Sequence, residues 1–239
     1  MSGVRRRDVL KGAALAFIGG TAARGGIIEG QLPFAPSVGA PPPFGPGWQF
    51  FTSSEAATLE ALVYQIIPPD PQTCGGKDAG CAVFIDRQLA GGYGAQEGDY
   101  TLGPFHTGTE SQGPQTPLTP RDVYRRGLAA LDQHAGTVQR GRTFGQLPPA
   151  EQEQILHDIE DGKLQLPGID AKGFLKLLID NTTEGFFADP IYGGNRDMCG
   201  WKMVGFPGAR YDYRDWVDRH NERFPLPPIG IRDHPDWKE

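Results

Sequence analysis

Ala171-Lys172-Gly173-Phe174-Leu175-Lys176-Leu177-Leu178-Ile179-Asp180-Asn181-Thr182-Thr183-Glu184-Gly185-Phe186-Phe187 gives the strongest helical signal in the chain, and it settles the structural class. Its apolar residues recur at helical spacing, with no alternation of the kind a half-buried strand needs. The same pattern returns upstream. Thr52-Ser53-Ser54-Glu55 has the spacing of a capping box, and Leu59, Leu62, Val63, Ile66 and Ile67 follow before Pro68-Pro69 stops the run. A shorter helix is predicted from near Asp78, with Cys81, Phe84, Ile85 and Leu89 on one face and Gly91-Gly92 at its end. Thr119-Pro120 supplies an N-cap and a first-turn proline for a helix carrying Val123, Tyr124, Leu128 and Leu131. Another runs from Pro149 to about Glu160, with Ile155, Leu156 and Ile159 inward. No alternating run is long enough for a sheet. The prediction is a mainly α, loop-rich single helical domain.

Between these helices the chain is rich in punctuation, with 34 glycines and 22 prolines in 239 residues, a high share for a compact domain. Long Gly/Pro-rich loops follow from that, above all over 92–118. A stretch of this length without structure inside a domain is usually functional or wrapped on something. A short helix is expected around Arg214 to Asp218. Beyond it, Pro225, Pro227, Pro228 and Pro235 argue against regular structure, and 219–239 reads as an extended Pro-rich tail. Residues 24–51, with Pro41-Pro42-Pro43, read as an extended linker. The helical domain then occupies 52–218.

Ahead of the linker, Arg5-Arg6-Arg7-Asp8-Val9-Leu10-Lys11 and the uncharged stretch Gly12 to Ala23 form a basic region followed by a short apolar one. The apolar run falls short of the about 20 residues a spanning helix needs. Arg6-Arg7, a polar residue, two apolar residues and Lys11 resemble the twin-arginine export pattern, with Val9 where that pattern usually has Phe. The alternative is an ordinary export signal with an extra arginine. Thr21-Ala22-Ala23 offers small residues for cleavage, and retention as an N-terminal tether is the other outcome. The expectation is export to the periplasm by the twin-arginine translocase, with membrane association through a complex or an uncleaved N-terminus left open. About 215 residues remain after 1–23, enough for one domain with a real core. A net charge of −6 argues against nucleic-acid binding, which calls for a basic face to neutralise phosphates.

The chemistry-bearing residues form no familiar constellation. None of His106, His134, His157, His220 and His234 stands three or four residues from another, the spacing that points two helical ligands at one ion. There is no Gly-x-Ser-x-Gly elbow, no P-loop, no strand followed by Gly-x-Gly-x-x-Gly and no Cys-x-x-Cys-His for haem attachment. The expectation is no catalytic, metal or cofactor site on this chain. Among the three cysteines, Cys74 and Cys81 flank Gly75-Gly76 and could close a small disulfide loop in an oxidising compartment. Cys199 is then the odd one, either inert in the core or paired with a cysteine of another chain.

The most unusual stretch is 181–209, where glycines that permit close backbone approach alternate with Asn195, Arg196 and Asp197, which can tie a loop to itself. Phe186, Phe187, Tyr192, Trp201 and Phe206 read as aromatic anchors of a rigid loop. Such a surface suits a partner interface, where Trp, Tyr and Arg are enriched. The residues expected to meet a partner are Phe186, Phe187, Asp189, Tyr192, Asn195, Arg196, Trp201 and Phe206. Two weaker readings give Glu184 with Asp189 as paired carboxylates, or Asp189, Asn195 and Asp197 as an oxygen-rich metal site.

Glu184-Gly185-Phe186-Phe187-Ala188-Asp189-Pro190-Ile191-Tyr192-Gly193-Gly194-Asn195-Arg196-Asp197, followed by Gly200-Trp201-Lys202 and Gly205-Phe206-Pro207-Gly208-Ala209, resembles the signature of the gluconate 2-dehydrogenase subunit 3 family. Supporting pieces upstream include Phe84-Ile85-Asp86, Gly103-Pro104-Phe105 and Tyr124-Arg125-Arg126-Gly127-Leu128, so the similarity covers roughly 52–217. The resemblance implies a non-catalytic small subunit of a flavin-dependent sugar or sugar-acid dehydrogenase. It implies a large FAD-containing partner of the glucose-methanol-choline type and, in many such complexes, a multihaem cytochrome c carrying haem c. The alternatives are a self-contained periplasmic enzyme or a stand-alone interaction module using the 184–209 loop.

Overall fold

The structure, a computed structural model, describes residues 47–233 apart from 100, 101, 107, 114 and 211. The export segment 1–23, the linker up to residue 46 and the end of the tail from 234 lie outside the described residues. Seven α-helices appear among those that are described: α1 (Ser53–Ile66), α2 (Cys81–Ala90), α3 (Gly92–Ala95), α4 (Pro120–Val138), α5 (Pro149–Glu160), α6 (Ala171–Phe187) and α7 (Cys199–Val204). The β content among the same residues is one isolated parallel bridge between Gly208 and Ile229. The mainly α, loop-rich class predicted from periodicity is the class observed.

Local chemistry sets where the helices begin. Thr52 and Glu55 form the expected capping box on α1, and Thr119 with Asp122 forms a second on α4 behind the first-turn proline. Each reciprocal pair satisfies two backbone donors that a helix start leaves unpaired. The span of α6 agrees with prediction at both ends. Its buried side presents Ala171, Phe174, Leu175, Leu178, Asn181, Thr182, Gly185 and Phe186. Ile179, in the same apolar run, is exposed, because a helical stripe cannot turn all of Phe174, Leu175, Leu177, Leu178 and Ile179 toward one core.

α6 is the central element, with α2 along one side and α1, α4 and α5 against the rest. Leu59, Leu62, Ile85, Leu89, Tyr124, Leu128, Leu131, Phe174 and Leu178 fill the space between them. Tyr124 makes edge contacts with Phe51 and Phe174 and donates its hydroxyl to Asn181 Oδ1 at 3.0 Å. A 3₁₀ turn at Phe144–Gln146 closes the far end. There Asp132 accepts from the Thr58 hydroxyl and the Phe144 N–H, and Gln152 donates to the carbonyls of Phe144 and Leu147. These buried polar groups are paired, as burial requires.

The folded part starts before Thr52. Trp48 and Phe50 pack against the core, Phe51 belongs to it, and the buried Asp86 carboxylate accepts the N–H groups of Gln49, Phe50 and Phe51 at 2.8, 2.9 and 3.0 Å. The last residues assigned to an extended linker are thus part of the domain. The described part of the tail also folds back. Ala209 N–H donates to Ile229 O, Arg210 Nη2 to Pro227 O and Ile231 N–H to Asp189 Oδ2. A 3₁₀ turn at Ile231–Asp233 stands where the prolines argued against regular structure.

One pH effect follows from the α1 cap. Burial tends to raise the pKa of Glu55, but hydrogen bonds from Thr52 and the Arg125 guanidinium outweigh it and hold the carboxyl below its ordinary value. Its contribution to stability is present above the unfolded-state pKa of about 4.3 and is lost as pH falls through the lower folded value. Glu55→Gln is expected to be less stable than wild type near neutral pH by about 1 kcal/mol. The gap in urea midpoint should shrink below about pH 4, and a gap that stays constant across that range would contradict the assignment.

Candidate functional site

Between the end of α6 and the tail, residues 184–209 form a compact block. Asn195 is fully buried; its Nδ2 donates to Ala188 O at 2.8 Å and its Oδ1 accepts the Gly200 N–H at 2.9 Å. One side chain therefore ties the strand of chain leaving α6 to the start of α7. Trp201 is buried and donates Nε1–H to Phe187 O at 2.7 Å. Asp189 spends one oxygen on the Ile191 N–H and the other on the Ile231 N–H, so it holds both the Pro190–Tyr192 turn and the returning tail. Of Asn195, Arg196 and Asp197, expected to tie the loop to itself, Asn195 does so through its side chain, and Asp189 adds a tie that was not expected.

This geometry separates the predicted partner residues into two groups. Phe186, Asn195 and Trp201 face the interior, and Asp189 is committed to backbone donors. Their assignment to a partner surface is corrected: they build the block and do not present it. Phe187, Tyr192 and Phe206 remain 37, 44 and 45 % exposed, and Arg196 is exposed beside Gly80. Phe187 stacks edgewise on Phe186 and Phe206 on Trp201, each at 5.2 Å between ring centroids, so each exposed ring is propped by a buried one. Met203 and Val204, which the sequence reading passed over, add exposed apolar surface on α7. A signal was available for Met203, which at i+2 from the buried Trp201 points to the opposite side of the helix; Val204, at i+3, gave none.

The weaker readings do not match the arrangement. Asp189 is occupied as above, and Glu184 accepts from Asn181 Nδ2 at 3.0 Å in a separate network with Tyr93. The two carboxylates are not brought together as an acid–base pair. Asn195 has no oxygen left for a cation, and no group of His, Cys, Asp and Glu suited to a metal occurs among the described residues. Burial pushes the Tyr124 hydroxyl well above its ordinary pKa, with Tyr93, Glu184 and Asp180 adding to the effect. It stays a hydrogen-bond donor to Asn181 across the neutral range.

The cysteine assignment is overturned. Cys74 is bonded to Cys199, 125 residues away in sequence, and Cys81 is a free, buried thiol. The local turn explains the change. Ala79 N–H donates to Gly75 O and Cys81 N–H to Gly76 O, which winds the chain into α2 and turns Cys81 into the core. On the other side Arg196 N–H donates to Ala79 O, laying the block against this turn. The Cα atoms of Cys74 and Cys199 then stand 6.4 Å apart, within bridging range. Cys199 is accordingly not an intersubunit thiol. Burial pushes the Cys81 thiol up to about 12, against smaller opposing effects of its own backbone N–H and Arg196, so it forms almost no thiolate near neutral pH.

The described residues thus form a small helical domain in which a disulfide fastens a compact block that carries a rim of exposed aromatic rings. The sequence model of one family, Gluconate 2-dehydrogenase subunit 3, matches residues 53–208. The chain belongs to the gluconate 2-dehydrogenase subunit 3 family, and that family's name makes it a subunit of a multi-subunit dehydrogenase. No curated protein and no solved structure matches it.

Proposed function

We propose that this chain is the non-catalytic small subunit of an exported flavin-dependent dehydrogenase that oxidises gluconate or a related sugar. It docks on a large FAD-bearing subunit of the glucose-methanol-choline type, stabilises that subunit and escorts it through the twin-arginine translocase to the periplasm. A multihaem cytochrome c subunit completes the route for electrons. The observation that carries the reading is the rim of Phe187, Tyr192, Met203, Val204 and Phe206, exposed on a block whose interior is fixed by Asn195, Trp201 and the Cys74–Cys199 bond. Rigid aromatic groups of this kind bury large area at low entropic cost on binding. Both alternatives drew on the same block. The enzyme alternative loses its paired carboxylates, since Asp189 is committed to structure.

Expression of the large subunit with and without this chain provides the test. Active, exported flavoprotein is expected only in the first case, and an Arg6→Lys/Arg7→Lys variant is expected to retain both proteins in the cytoplasm. Equal yields of exported, active large subunit in all three strains would refute the escort role. An export signal on the large subunit itself would argue against a shared signal.

A further inference from the structure

We propose that the Cys74–Cys199 disulfide is a redox latch on the block: closed, it fixes the Asn195–Val204 segment in its docking geometry, and opened, it frees that segment while the helical core stays folded. Cys74 lies in the α1–α2 loop and Cys199 is the first residue of α7, so the bond joins the core directly to the element that carries Met203 and Val204. The residues just ahead of Cys199 need such a constraint. Asn195, Asp197 and Met198 all have positive φ, at 44°, 54° and 55°, a region that non-glycine residues seldom occupy without support from their surroundings. Besides the disulfide, the backbone hydrogen bond from Arg196 N–H to Ala79 O ties this turn across to the α1–α2 side.

Three features suit the bond to opening and closing. Both cysteines are only half-buried, which gives an attacking thiol access. The large apolar residues of α1, α2, α4 and α6 belong to one cluster, and α7 adds to it only the half-buried Cys199 packed against its surface. The third cysteine is withdrawn from exchange, since its buried thiol yields almost no thiolate. Closure breaks two S–H bonds and forms one S–S bond. The two electrons and two protons pass to an oxidant of the disulfide class, such as the disulfide of a thiol oxidase, which leaves as a dithiol. Opening is the reverse, driven by a dithiol reductant.

The effect on partner binding rests on the docking role proposed above, but the latch is tested on this chain alone. Amide hydrogen exchange of the intact chain is measured with and without dithiothreitol. On reduction, exchange over residues 196–204 is expected to rise about tenfold, while α4 and α6 keep their protection. Tryptic cleavage after the exposed Lys202 should accelerate by a similar factor of about ten. Cys74→Ser/Cys199→Ser is expected to show the fast behaviour in both conditions, and Cys81→Ser to respond as wild type does. If the double variant does not fold, reduction of the wild type supplies the comparison. Unchanged exchange over 196–204 on reduction would overturn the latch, as would loss of protection in α4 and α6 together with it. Capture of the large subunit is then measured in both redox states. Absence of binding in either state would remove the docking role and leave the latch standing, whereas binding with an insensitive segment would do the opposite.

Discussion

Replacing Asp86 with alanine is expected to lower the stability of the domain by about 4 kcal/mol, a large part of the 5–15 kcal/mol typical of a folded domain. The Asp86 carboxylate has no exposed surface, accepts three consecutive backbone N–H groups and stands 3.4 Å from Arg87 Nη1. Arg87 in turn donates to Gly47 O at 3.0 Å, so the two side chains clasp 47–51 from both sides. Removing the carboxylate strips three backbone donors of their acceptor, of which the buried Phe51 N–H costs about 1–3 kcal/mol, and withdraws the counter-charge beside the buried Arg87, a break that typically costs about 3–5 kcal/mol. Phe51 would also lose its place against Tyr124. Asp86→Asn keeps the shape and one acceptor oxygen, so it should cost about half as much. Urea unfolding reads both values, and hydrogen exchange at 48–51 reports the release of the segment. A loss under about 1 kcal/mol for the alanine variant would mean that the clasp holds nothing that matters to the fold.

That clasp also marks where sequence reasoning stopped. The helices were legible because their signals are local: Thr52 to Glu55 and Thr119 to Pro120 specify starts, and the apolar spacing of 171–187 needs no knowledge of its neighbours. Asp86 was visible as a charged residue four positions after Ala82 and three before Leu89, on the side of α2 that faces the core. What it binds was not visible, since its partners lie 35–37 residues away in a segment that reads as linker. The cysteines show the same limit. Proximity in sequence favoured Cys74 with Cys81, while the observed bond depends on the block folding against the α1–α2 turn, a contact across 125 residues. For the 184–209 block the aromatic content was legible, but the division into buried props and exposed rings was not. Phe186 and Phe187 are adjacent and chemically identical, and only the direction of the α6 axis decides that one is core and the other rim.

Gly200→Ala is expected to be strongly destabilising for a single added methyl, at about 3 kcal/mol, because the added carbon has nowhere to go. Gly200 is the second residue of α7, and a Cβ there would run into the Phe186 carbonyl oxygen and stand 3.0 Å from Phe186 Cδ1. The obstacle is backbone at the end of α6, so no rotamer change relieves it, and α7 must lift from α6. Lifting α7 would strain the Gly200 N–H bond to Asn195 and the Trp201 bond to Phe187 O, and it would move Met203 and Phe206 out of register with the rest of the rim. Gly205 separates this effect from backbone conformation. It has φ of 71° and nothing within 4 Å of an added Cβ, so Gly205→Ala carries only the left-handed penalty of about 1–2 kcal/mol. Urea unfolding of the two variants, with capture of the large subunit by each, tests the close approach directly. Gly200→Ala should fail to capture the partner while Gly205→Ala retains capture. Equal stabilities for the pair would show that the contact between α7 and α6 is not what fixes the block.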